Sequence, residues 1–387
     1  MKEIKGFKNS LILTEEGIVK TNLLIKNGII TKIGEFECDD LVMLEENKIV
    51  IPGFIDQHIH GAAGSDVIDG TIDDLKNIAC NIAKEGTTAF LATTTTESKE
   101  VLKKSLLNVK EYIDKNYIDG ALVIGVHLEG PFISKEYSGA QLEEYIDNPS
   151  IETFIHYNNV SGNNIKIVTL APEMDGAIEL IEYLSKNKIV ASIGHSAATY
   201  SDVMLAVDSG LTCSTHTYNA QKPIHHREVG TVGAVLLCNN LYAEIICDGV
   251  HVSYPAVKFL LKNKKLDKVI LVTDSLRPKY LKDGIYIEPS GQEIIVKNSV
   301  ARLTDGTLAG STLKMNVAVK NMIDNLGLSF IDAVKLASEN PAKNLSIFDK
   351  MGSIKEGKYA NLLIVDNDIN IYKTIRNGYV IYEKSEE

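Results

Sequence analysis

IVIPGFIDQHIH (49–60) is an apolar, largely β-branched run that ends on two histidines one residue apart, His58 and His60. Seven further apolar runs follow it: TTAFLATTT (87–95), LVIGVHLEG (122–130), IKIVTLAPE (165–173), IVASIGHS (189–196), LTCSTHTYN (211–219), YAEIICDGV (242–250) and VILVTDS (269–275). Several are apolar almost throughout, as strands covered on both faces are. Helix-like segments separate most of them. DDLKNIACNIAKEG (73–86) has its apolar residues at helical spacing and a glycine stop. Eight such units predict an α/β fold with a (β/α)8 TIM-type barrel over residues 52–345. Residues 284–310 interrupt the pattern with strand and turn signals and predict a hairpin insertion. A helix is expected to start near Ser311 or Thr312, either of which can cap it.

The two ends of the chain read differently. SLILTEEGIVKTNLLIKNGIITKIG (10–34) alternates with period two around Gly and Asn turns. ANLLIVD (360–366) and INIYKTIRNGYVIYE (369–383) do the same, with an Asn377-Gly378 turn. Residues 1–51 and 346–387 are therefore expected to form one small β-sandwich domain.

The composition excludes several function classes. The 387 residues carry 40 Lys plus Arg against 51 Asp plus Glu, a formal charge of −11. With no basic run, nucleic-acid binding is not expected. An anionic substrate would need a few local cations to hold it. The five cysteines, Cys38, Cys80, Cys213, Cys238 and Cys247, show no CxxC spacing and read as reduced thiols. The N-terminal segment lacks a long apolar region with a cleavage site, and no apolar run is long enough to span a bilayer. A cytoplasmic protein with no membrane partner is expected.

The C-terminal ends of the eight runs carry His58 and His60, Glu129, His195, His216 and Asp274. In a barrel these ends share one face, where the active sites of the fold sit. Residues i and i+2 of a strand point to the same side, so both histidines of the His-x-His pair can face the barrel mouth. Imidazole and carboxylate together suit a divalent metal such as Zn, Fe, Mn or Co. Six ligands exceed the need of one tetrahedral ion, so one or two ions are expected, with Glu129 able to bridge a pair. A lone strand-end histidine is more often structural, and His127, His156 and His225 belong in that class. Six such residues at the ends of five runs are hard to produce by chance.

The segments PGFIDQHIHG (52–61), HLEGPFIS (127–134), GHS (194–196), HTYNA (216–220), HHREVG (225–230), DGVH (248–251), LVTDS (271–275), DGTLAGSTLKMN (305–316) and GSIKEGKYANLLIVD (352–366) cover essentially the whole chain. In them the sequence resembles the amidohydrolase superfamily, specifically the N-acetylglucosamine-6-phosphate deacetylases. The resemblance implies metal binding by His58, His60, Glu129, His195, His216 and Asp274, with Asp274 as general acid/base. It implies a phosphorylated N-acetyl amino sugar held by Gln141, Asn219, Ala220, Arg227, His251 and Leu308. It further implies hydrolysis of the acetamide of N-acetyl-D-glucosamine 6-phosphate, and a homodimer with Arg227 reaching across its interface. Arg presents a planar fork matched to phosphate oxygens, and His251 and Arg227 are the local cations that an acidic chain needs.

The sequence also departs from the family pattern. Gln141 stands where many members have a histidine that helps polarise the acetyl carbonyl, and an amide donates a hydrogen bond but carries no charge. Gln221 replaces a Met, Val229 replaces a Pro, and RPKY (277–280) replaces a small-residue segment. Three alternatives stay open: the galacto epimer as substrate, a cyclic amide, and a barrel without catalysis. The last two rank low, because Glu129 stands where cyclic-amide enzymes often have a carboxylated lysine, and because every metal ligand is present.

Overall fold

The structure, a computed structural model, describes residues 2–38 and 40–385. The eight apolar runs fold as parallel strands at Phe54–Ile59, Thr87–Thr94, Leu122–Glu129, Ile165–Leu170, Val190–Ile193, Leu211–Ser214, Tyr242–Ile245 and Val269–Leu271. Each pairs with the next in chain order. The ring closes just beyond the eighth strand. The Asp274 N–H donates to the His58 carbonyl at 2.8 Å, and the His60 and Gly61 N–H groups donate to the Ser275 carbonyl at 3.0 and 2.8 Å. The closure thus lies at the strand ends that carry the His-x-His pair and Asp274.

Helices cover the outside for the reasons their sequences give. Ile72–Ile82 buries Leu75, Ile78, Ala79 and Ile82 on one stripe and is capped by the Thr71 side chain, which accepts the Asp74 N–H. Gly86, at φ 89°, ends the turn that follows. Among the described residues, no helix is long and apolar enough to cross a membrane.

A second eight-stranded sheet draws on both ends of the chain, in the order Tyr379–Glu383, Ile371–Arg376, Leu362–Val365, Ile49–Pro52, Gly6–Thr14, Gly17–Lys26, Ile29–Gly34, with Val42–Met43 beside Gly6–Thr14. It encloses its own core of Phe7, Ile12, Leu23, Ile30, Val50, Leu362 and Ile375. Asn377 (φ 49°) and Gly378 (φ 79°) both take positive φ, as a two-residue hairpin turn requires. The first apolar run is divided between the two sheets. Ile49–Pro52 pairs with Leu362–Val365 in the small sheet, and the barrel strand starts at Phe54.

Two local expectations are corrected. The insertion is a three-stranded meander, Gly284–Ile287, Glu293–Lys297 and Val300–Leu303, and not a two-stranded hairpin. Its second turn is made by Asn298 and Ser299, both at positive φ without a glycine. The helix after it spans Met315–Asp324 with Lys314 at the N-cap. Ser311 and Thr312 lie three and two residues before that cap position; their hydroxyls donate to the carbonyls of Thr273 and Ser299 at 2.5 and 2.6 Å, and Ser311 Oγ accepts the Leu313 N–H at 2.9 Å.

Candidate metal centre and active site

All six expected ligands converge at the barrel mouth, and all are buried. Glu129 stands at the centre. Its Oε1 lies 3.0 Å from His216 Nε2, 3.3 Å from His195 Nε2 and 3.5 Å from His58 Nε2. Its Oε2 lies 3.4 Å from His60 Nε2. Asp274 Oδ1 lies 3.1 Å from His60 Nε2 and 3.4 Å from His58 Nε2. Two donor groups result, His58–His60–Asp274 and Glu129–His195–His216, each with ligand atoms within 4.8 Å of one another. His195 (φ 49°), His216 (φ 30°) and Asp274 (φ 49°) all sit in the left-handed region directly after their strands. Non-glycine residues adopt it at a cost of about 1–3 kcal/mol, and such strain clusters at functional sites. Here the bend turns three side chains off short strands into the mouth.

The donor set fits a metal ion. His58 Nδ1 lies 3.1 Å from the Glu244 carboxylate and His195 Nδ1 lies 2.9 Å from the Tyr137 carbonyl. Each Nδ1 therefore carries the proton, and each Nε2 offers its lone pair to the centre. His58 Nε2 stands 3.3 Å from His60 Nε2, and His195 Nε2 stands 3.2 Å from His216 Nε2. The bare lone pairs of His58 and His195, set at that range from two further imidazole nitrogens and beside two carboxylates, are an arrangement that a cation would satisfy. The electrostatics agree. Asp274, Glu129 and Glu244 surround His58 with negative charge that favours a cation at this point.

The support beneath the ligands includes a residue that sequence reasoning missed. Glu244 is fully buried in the seventh barrel strand. Its Oε2 accepts from His58 Nδ1 and from the His216 N–H at 3.2 Å, and its Oε1 accepts from Gln57 Nε2 at 2.7 Å. One carboxylate thus orients a ligand on the first strand and the backbone of another on the sixth. The signal was present: a single acid inside the apolar run YAEIICDGV needs a buried partner. Glu244→Ala is expected to weaken Zn or Mn affinity by roughly 10–100-fold, read by equilibrium dialysis against a competing chelator. Unchanged affinity would remove Glu244 from the site. His127 keeps its structural reading, between the Gln57 carbonyl (3.0 Å) and Thr169 Oγ1 (2.7 Å). His156 and His225 are exposed.

The segment 307–313 straps the Asp274 loop. The Ser311 N–H donates to the Asp274 carbonyl at 2.7 Å, and the Leu276 N–H donates to the Ser311 carbonyl at 3.0 Å. A Cβ at Gly310 would stand 2.6 Å from the Asp274 carbonyl oxygen, so this position of the DGTLAGST motif takes only glycine.

A cavity of about 420 Å³ opens over the donors. Its walls include Gln141, Asn219, Ala220, His251 and Leu308, which the structure brings together with the ligands. Both ring nitrogens of His251 face acceptors, Asp248 Oδ2 at 2.7 Å and the Ala309 carbonyl at 2.8 Å. Both therefore carry protons and the ring is a cation. Burial lowers its pKa, but the Asp248 hydrogen bond and charge outweigh that and hold it above the usual histidine value. Two expectations meet a different placement. Arg227 is exposed and does not line the cavity of its own chain. It sits on a surface loop folded by a His225–Glu228 bridge, and its Nη1 lies 2.7 Å from His226 Nε2. Gln141 does line the cavity, but its amide nitrogen donates to Glu129 Oε2 at 2.8 Å.

Residues 49–381 match the amidohydrolase family. The chain belongs to that family. Members depend on a metal, which suits the two donor groups. Among its relatives is the N-acetylglucosamine-6-phosphate deacetylase of Bacillus subtilis (strain 168), 39% identical over 390 residues, a match that covers 97% of this amidohydrolase and 98% of the relative. The crystal structure of N-acetylglucosamine-6-phosphate deacetylase from Thermotoga maritima is 38% identical with a TM-score of 0.88, covering 98% of this chain and 100% of that one. A mutant of the Mycobacterium smegmatis enzyme in complex with N-acetyl-D-glucosamine-6-phosphate is 26% identical with a TM-score of 0.91, again covering 98% and 100%.

Proposed function

We propose that this amidohydrolase is a cytoplasmic enzyme that hydrolyses the acetamide of N-acetyl-D-glucosamine 6-phosphate to D-glucosamine 6-phosphate and acetate. The observation that carries the reading is the convergence of four imidazoles, Glu129 and Asp274 at one centre beneath a cavity whose wall holds a cationic His251. The names of the relatives supply the substrate class. The free thiols of all five cysteines support a reducing compartment.

His58, His60, Glu129, His195, His216 and Asp274 would hold one or two divalent ions, Zn, Fe, Mn or Co. When bound, such an ion supplies Lewis acidity that lowers the pKa of water and polarises a carbonyl. Asp274 takes a proton from the attacking water as the water oxygen bonds to the acetyl carbon. It then gives that proton to the sugar nitrogen as the C–N bond breaks, because an amide nitrogen leaves badly unprotonated. Asn219, the backbone at Ala220, His251 and Leu308 surround the sugar phosphate. Arg227, exposed and outside its own cavity, serves the neighbouring subunit's phosphate in a homodimer.

The test is acetate release from N-acetylglucosamine 6-phosphate, with the unphosphorylated sugar and the galacto epimer in parallel and metal content measured on the same sample. Release that requires the phosphate is the expected result. No release from any of the three by metal-loaded protein would reject the substrate class. Dialysis against a chelator is expected to abolish release, and added divalent metal to restore it. The KM for the phosphorylated sugar is expected to rise as pH climbs through the raised His251 pKa, because the positive charge that attracts phosphate is then lost. A flat KM over that range would take His251 out of phosphate binding.

A further inference from the structure

Gln141 stands at the position where a histidine would polarise the acetyl carbonyl, and its polar atoms are committed elsewhere. Oε1 accepts from Thr95 Oγ1 at 2.6 Å and from the Thr96 N–H at 2.5 Å. Nε2 donates to Glu129 Oε2 at 2.8 Å. These partners fix the orientation of the amide. The flipped amide would set its NH2 group against the Thr96 N–H and its carbonyl oxygen against a carboxylate. A neutral imidazole cannot replace it in kind, because it has one acceptor nitrogen where the amide oxygen accepts two bonds.

We propose that Gln141 is a positioning residue for Glu129 and does not donate to the reacting carbonyl. The hydrogen bond to Oε2 fixes the rotation of the carboxylate, which leaves Oε1 turned to His216 and His195 at 3.0 and 3.3 Å. Oε1 is thereby presented between two Nε2 atoms that stand 3.2 Å apart. A bond to an ionised acceptor is among the stronger hydrogen bonds, and it acts here on the carboxylate whose oxygens lie against histidines of both donor groups. Through Thr95 and Thr96 the same amide ties that residue to the loop that follows the second barrel strand, Thr87–Thr94. Metal ligands elsewhere are held by such outer partners, whose loss weakens metal affinity by roughly 10–100-fold. The inference deepens the deacetylase reading and shares its site.

The test separates affinity from turnover in Gln141→Ala, Gln141→His and Thr95→Val. Zn and Mn dissociation constants are measured by equilibrium dialysis against a competing chelator, and kcat and KM at saturating metal. Gln141→Ala is expected to lose about 10–100-fold in metal affinity while kcat at saturating metal stays within about fivefold of the parent. Thr95→Val, which leaves the Glu129 contact in place, is expected to shift affinity in the same direction by less. Gln141→His keeps a bulky polar group and is expected to lose affinity as well, so an effect does not depend on whether the alanine variant folds. A kcat that falls about 100-fold or more at unchanged affinity would overturn the proposal and make Gln141 an oxyanion donor. Unchanged affinity and unchanged kcat would overturn it too. The dialysis arm needs no substrate, so a wrong substrate and a wrong role for Gln141 give different results.

Discussion

Asp274→Asn is expected to lower acetate release by roughly 10²–10⁴-fold at saturating metal, with the fold intact. Asparagine keeps the size of the side chain and an oxygen near His58 and His60, but it cannot accept and return a proton. Burial would raise the Asp274 pKa, yet the positive charge gathered at this centre holds it down to about 2. The carboxylate is therefore ionised at neutral pH and ready to act as a base. Both histidine contacts are made by Oδ1. The substitution removes one charged donor from the His58–His60–Asp274 group and none from Glu129–His195–His216. Metal content measured beside turnover separates the two effects. A variant that has lost half or less of its metal and nearly all its turnover supports proton transfer by Asp274. Near-parent turnover rejects it.

What could be read in the sequence follows from how each feature is encoded. Barrel strands are buried on both faces, so each shows as a continuous apolar run, and all eight were readable. The convergence of the six candidate residues was readable because each closes or follows such a run, and these run ends share the mouth. The limits are equally physical. The division of IVIPGFID between two sheets depends on which partners its residues meet, Leu362–Val365 on one side and Thr87–Thr94 on the other. Period and composition do not encode that choice. The third strand of the insertion was hidden by a turn of Asn298 and Ser299, which carries no glycine signal. The N-cap at Lys314 was missed because residues 311–313 are held as a strap along the Asp274 loop, which delays the helix to Met315, a tertiary choice that overrides local propensity. Glu244 was passed over because a strand-interior acid was not asked for a partner. The roles of Arg227 and Gln141 depend on where a loop and an amide point, and no spacing rule gives that.

Lys279→Met is expected to destabilise the protein by about 3–5 kcal/mol, the usual cost of leaving a buried charge without its partner. Lys279 and Glu85 are both fully buried, with Nζ 2.5 Å from Oε1. The Tyr280 hydroxyl donates to the other carboxylate oxygen at 2.8 Å. Removal of the ammonium leaves the Glu85 carboxyl in the interior with the Tyr280 hydroxyl as its remaining donor. Lys279 belongs to the RPKY segment (277–280), in which each polar residue has a buried or half-buried partner. Arg277 reaches Glu288 at 2.7 Å and Asp69 at 3.0 Å. The backbone of the same segment accepts from the Gly64 and Ala63 N–H groups, both at 2.8 Å, just after the His-x-His strand. The segment therefore pins the chain leaving Asp274 to the chain leaving His60. The measurement is the shift in denaturant midpoint at fixed metal concentration, because bound metal adds stability by mass action. The double variant Lys279→Met, Glu85→Leu is expected to be less destabilised than Lys279→Met alone, since no charge is then stranded. A single-variant cost under about 1 kcal/mol would place the pair with exposed ion pairs and would leave the anchoring of the Asp274 loop to the Ser311 strap.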